Sequence, residues 1–117
     1  MSGTATGTPQ RNEVTLAGRL PAAAEERTLP SGDVLVSFRV VVARPPARPA
    51  ARGPAVDAID CVAWSAPARR TVLGWAAGDA VEVTGALRRR FWRAGGGAAS
   101  RTEVEVLKAR RVAKAPP

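Results

Sequence analysis

The chain has 117 residues, with 18 Lys+Arg against 10 Asp+Glu and a formal charge of +8, and its lysines are Lys108 and Lys114 alone. It contains no histidine, no tyrosine and one cysteine, Cys61. That excludes an internal disulfide, a Cys/His zinc site built by one chain, and any Ser-His-Asp or Cys-His relay. At 45 % hydrophobic and 24 % charged residues, the composition is that of one soluble globular domain, and the positive field points to a polyanionic partner.

Residues 1–10 read as a flexible Ser/Thr/Gly-rich segment without the basic-then-apolar pattern of a secretory signal. No apolar run approaches the roughly 18 residues of a membrane span, so no membrane association and a cytoplasmic location are expected. Val14, Leu16, Gly18 and Leu20 alternate with Glu13, Thr15, Ala17 and Arg19 as a half-buried strand. Pro30-Ser31-Gly32-Asp33 is turn chemistry leading into a second strand, Val34–Ala43, with Val36, Phe38, Val40 and Val42 inward and Ser37, Arg39 and Val41 outward. The prolines at 45, 46, 49 and 54 then predict an exposed extended loop carrying Arg44, Arg48 and Arg52.

A third strand, Val56–Trp64, sets Ile59, Cys61 and Ala63 on an apolar face opposite Ala58, Asp60, Val62 and Trp64. Ser65 reads as the N-cap of one helix, with Pro67 in its first turn. Ala68, Val72, Trp75 and Ala76 fall at helical spacing, and Gly78-Asp79 stops it. Val81–Trp92 is a long fourth strand with Gly85 inside it, where a strand bends or bulges. Ala94–Ser100 reads as a flexible hairpin loop, Arg101–Val112 as a fifth strand, and residues 113–117 as a short frayed end. Three strands, one helix and two strands is the order of an all-β, five-stranded Greek-key barrel, the OB-fold, here over residues 11–112 with the helix between its third and fourth strands.

The segments Asn12–Leu20, Arg27–Gly32, Val36–Val41, Cys61–Trp64, Gly78–Trp92 and Thr102–Val106 resemble, in order and spacing, bacterial single-stranded DNA-binding proteins. The resemblance implies a homotetramer of OB-folds, or a dimer, that coats single-stranded DNA in replication, recombination or repair, near the nucleoid. Three departures stand out. Pro46 and Ala58 lie where well-studied members place stacking tryptophans. Asp60 stands where a basic residue is usual. No acidic C-terminal tail for recruiting repair partners is expected. These departures keep open a non-enzymatic OB-fold adaptor of primosome, restart or segregation type, with weak or RNA-tolerant binding.

Single-strand binders pair a cationic groove with aromatic faces on which bases stack. Trp92, in phase with Arg88 and Arg90, and Trp64, in phase with Asp60, are the stacking candidates, the alternative for each being a packed core or subunit-interface side chain. Arg88, Arg90 and Arg93 flank Trp92. Arg39 and Arg19 lie on outward strand faces, and Arg44 and Arg48 belong to the proline loop as phosphate contacts. Phe91, in phase with Leu87 and Arg89, is open between these roles, whereas Trp75 and Phe38 read as core. Asp57 with Asp60, and Glu103 with Glu105, read as solvated acids on strands. No catalytic residue, metal or cofactor is expected.

Overall fold

Apolar alternation on five segments leaves each strand with one face to bury, and a closed barrel buries all five at once. The computed structural model describes residues 7–45 and 55–117. Its elements in chain order are β1 (Val14–Arg19), β2 (Glu25–Thr28), β3 (Val34–Ala43), β4 (Val56–Ala63), α1 (Ala66–Leu73), β5 (Ala80–Ala94) and β6 (Gly97–Ala113). The sheet runs β1-β5-β6-β4-β3-β2 and closes through an antiparallel β1–β3 contact at Arg19 and Val41. β4 and β6 pair in parallel, Cys61 opposite Val104. The inward residues of all five barrel strands meet in one core, among them Val36, Phe38, Val40, Cys61, Val83 and Val104.

The expected five-stranded barrel is therefore present, with one strand more. β2 pairs with the start of β3, Glu25 opposite Ser37 through Thr28 opposite Val34. All four of its residues are exposed, so no apolar phase marks it. The hairpin is made by the turn, where Gly32 has φ 92° and the Leu29 and Asp33 backbones bond at 2.8 Å.

Two other boundaries move. α1 is capped by Ser65, whose hydroxyl accepts from the Ala68 N–H at 3.3 Å, but it ends at Gly74 rather than at Gly78. Gly74 weakens helix continuation, and Trp75 still packs inward, edge-on to Phe38 with centroids 5.9 Å apart. The expected hairpin loop at 94–100 is also absent. β5 and β6 run on to Ala94 and Gly97 and turn on Gly95-Gly96, where Gly95 has φ 39°. The hairpin thus projects as an arm from Leu87 outward, nearly all of it exposed.

Beyond β6 the chain is held at Ala115. Asp79, 2 % exposed, accepts from the Ala76 and Ala115 N–H groups, each at 2.8 Å, and lies 3.5 Å from Arg111. Those two backbone bonds, then Arg111, hold its carboxyl below the ordinary aspartate range against the opposing effect of burial.

Candidate nucleic-acid interface

The period-two phase that buries Phe38 and Cys61 turns their neighbours outward. Ser37 and Arg39 of β3, Asp60 and Val62 of β4, and Arg101 and Glu103 of β6 share the outer side of the barrel, with Trp64 at the end of β4. Cross-strand pairing sets Arg88 opposite Glu103, Arg90 opposite Arg101 and Trp92 opposite Ala99 on the arm.

Two adjoining grooves lie on this side. One, of about 260 Å³, runs beneath the arm, with Arg27, Leu35, Arg90, Phe91, Trp92 and Arg101 in its walls. The other, of about 470 Å³, shares Arg27, Ser37 and Arg101 and adds Arg39 and Asp60. Together they form a trough. Leu35 and Val62, outside the main core, are 4 % and 2 % exposed, so the trough floor is apolar below a charged rim.

The aromatic groups differ in how open they are. Trp92 is 46 % exposed and Phe91 70 % exposed, with the Arg89 guanidinium 5.4 Å from the Phe91 ring centre. Trp64 is half-buried, and the Arg90 guanidinium covers its ring at 5.7 Å.

Several of these arginines are ion-paired. Arg39 Nε lies 2.9 Å from Asp60 Oδ1, and Arg101 Nη2 lies 3.4 Å from Asp60 Oδ2. Arg101 Nε is 3.9 Å from Glu103 Oε1, and Arg90 Nη1 is 3.4 Å from Glu103 Oε2. An alternating chain, Arg39–Asp60–Arg101–Glu103–Arg90, therefore crosses from β3 through β4 and β6 to β5. Arg88 pairs with Glu105 at 3.1 Å. At the end of β3, Arg44 holds Asp57 through two bonds, of 2.7 and 3.0 Å. These bonds raise the Arg44 guanidinium's pKa and lower that of the Asp57 carboxyl. Burial, with Asp60 and Glu103 close by, pushes the Cys61 thiol up to about 12, so it carries little thiolate at neutral pH.

The structure brings Trp92, Trp64, Arg88, Arg90 and Arg39 to one side. Arg93 is exposed near the arm's tip. Arg19 lies at the β1–β3 seam and Arg44 beyond β3, neither lining the trough. Arg48, Arg52 and Pro46 fall outside the described residues. Two trough arginines, Arg27 and Arg101, were not among the sequence's site candidates. Arg101 carries a readable signal, since it shares phase with Glu103 and Glu105, whereas Arg27 sits on a strand with no apolar phase. Among the described residues no three His, Cys, Asp or Glu side chains gather as metal ligands would. No helix there is long and apolar enough to cross a membrane.

No curated protein matches the chain. A solved structure described as a Plasmodium falciparum SSB complex with ssDNA is similar to it, with a TM-score of 0.73 at 18 % identity, covering 92 % of this chain and 98 % of that one. That similarity establishes the shared fold. The profile of the Single-strand binding protein family matches residues 11–112, the whole barrel with its arm, and the chain belongs to that family.

Proposed function

We propose that the chain binds and coats single-stranded DNA with little sequence preference, by base stacking and arginine–phosphate contacts, in replication, recombination or repair. The observation that carries this reading is Trp92, nearly half exposed on an arm over a trough whose walls include Arg27, Arg90 and Arg101. A large aromatic left in water forgoes burial worth about 1.5–3 kcal/mol, and its face beside cations suits an unpaired base. Trp64 is the second platform. Arg39, Arg88 and Arg90 meet phosphates along the trough, and Arg19, Arg44, Arg48 and Arg93 extend the path.

The active form is a homo-oligomer, a tetramer as in the family's resemblance or a dimer. Leu107, 65 % exposed, and Val112, 53 % exposed, leave apolar surface for a second copy, and light scattering reads the state directly. The working location is the cytoplasm, at the nucleoid.

Titration with oligo(dT), followed by tryptophan fluorescence, tests the binding. Saturable quenching is expected, with weaker binding of a duplex of equal length. No binding even at about 50 mM salt, where phosphate contacts are far stronger than at about 200 mM, overturns it. Asp60 and the exposed Ala58 favour a second reading, an adaptor with weak or RNA-tolerant binding; equal affinity for single-stranded RNA selects it.

A further inference from the structure

Asp60 lies 2.9 Å from Arg39 and 3.4 Å from Arg101, while Glu103, whose side chain is 7 % exposed, lies between Arg101 and Arg90. Of the four arginines lining the trough, Arg39, Arg90 and Arg101 are thus paired with two carboxylates, and Arg27 is not among the described residues' ion pairs, so much of the trough's positive charge is compensated. A face built solely for phosphate would leave these cations unopposed. We propose that Asp60, supported by Glu103, is a specificity-determining residue that makes this face prefer single strands over duplex DNA. The inference rests on the single-strand reading above.

The two ligands draw on different energies. Non-specific duplex binding is almost entirely electrostatic, with a log–log salt slope of about −0.9 per phosphate contacted. Its bases stay stacked inside the helix and cannot use Trp92 or Trp64. A single strand has a shallower slope of about −0.7 per phosphate and adds about 1–3 kcal/mol for each base stacked on an aromatic. A carboxylate in the trough therefore subtracts from the only attraction a duplex has, and from a part of what a single strand has. This is discrimination by opposing the competitor.

Geometry adds to the effect. Asp60 engages Arg39 through Nε, leaving both terminal Nη groups open to a flexible backbone that can bend around the acid. The rigid phosphate rows of a duplex cannot reach Arg39 and Arg101 without facing the carboxylate between them.

The test compares Asp60→Asn with the unaltered chain on oligo(dT) and on a duplex of equal length over a salt series. The asparagine oxygen still accepts from Arg39, so position is kept and charge removed. Asp60→Ser is the second neutral variant, and thermal unfolding checks that each is folded. Glu82→Gln, which frees Arg110 from a 3.0 Å pair outside the trough, makes the same change in net charge. In both Asp60 variants duplex affinity should rise severalfold more than oligo(dT) affinity. The duplex salt slope should steepen by about 0.9 for each arginine freed, with the preference unchanged in Glu82→Gln. A preference unchanged in the Asp60 variants, or narrowed equally by Glu82→Gln, overturns the inference while normal oligo(dT) binding leaves the single-strand reading intact. Failure of the unaltered chain to bind oligo(dT) overturns both.

Discussion

Trp92 and Trp64 carry different loads although both face the same side of the barrel. Trp92 stands on the arm with 46 % of its surface exposed, so Trp92→Ala removes the proposed stacking platform with less packing to lose than at Trp64. Trp64 is half-buried beneath Arg90, so Trp64→Ala removes packing and a cation–π partner together. Trp92→Ala should weaken oligo(dT) binding by about 1–3 kcal/mol, leave the melting temperature near that of the unaltered chain, and abolish most of the fluorescence quenching. Full quenching in that variant would assign the signal to Trp64. At this scale the sequence was informative wherever phase was informative. Trp92 could be placed with Arg90 because both sit at even positions of a strand with an odd-numbered core. The pairing of those arginines with Asp60 and Glu103 could not be read, because it depends on which strands lie side by side. The parallel β4–β6 contact brings together residues some 40 positions apart.

The arm follows directly on a defect in the β5–β6 ladder. The register shifts between Thr84, opposite Lys108, and Gly85, opposite Val106, leaving Leu107 unpaired. At Gly85 the two backbones come so close that a Cβ would meet the Glu105 carbonyl oxygen. Gly85→Ala must push β6 aside, at a cost of about 1–3 kcal/mol as for other overpacked sites. It should also re-aim the arm, so oligo(dT) affinity falls along with the unfolding midpoint; a variant with unchanged urea midpoint would contradict the tight approach. A glycine within a strand pattern already signals a bulge, and the long apolar phases of β3, β4 and β5 already signal a barrel. β2 gave no such signal, because a strand exposed on every residue is made by its partner and its turn. The arm's length was hidden for a related reason. Gly95-Gly96-Gly97 looks like slack chain, yet a two-residue turn closes the hairpin here, with Gly95 at positive φ.

Closure of the whole barrel at its end away from the arm converges on one carboxylate. Asp79 receives the Ala76 and Ala115 N–H groups and neighbours Arg111, while its own backbone oxygen accepts from the Leu20 N–H at 2.9 Å. It therefore ties together β1, the segment after α1, and the chain beyond β6. Its folded carboxyl titrates below the unfolded value, which is about 3.9. A depressed carboxyl contributes stability that is fully present above the unfolded value and is lost as pH falls through the folded one. The melting temperature should accordingly hold from pH 7 to about 5 and fall below about pH 4, helped by self-repulsion as the chain's positive charge grows. Asp79→Asn should melt lower than the unaltered chain at pH 7, because its uncharged amide accepts more weakly and can present an N–H to a donor. As the native carboxyl protonates, that advantage disappears and the two melting curves converge at acid pH. A gap that stays constant down to about pH 2.5, well below the ordinary aspartate range, would mean that shape rather than charge at residue 79 closes the barrel.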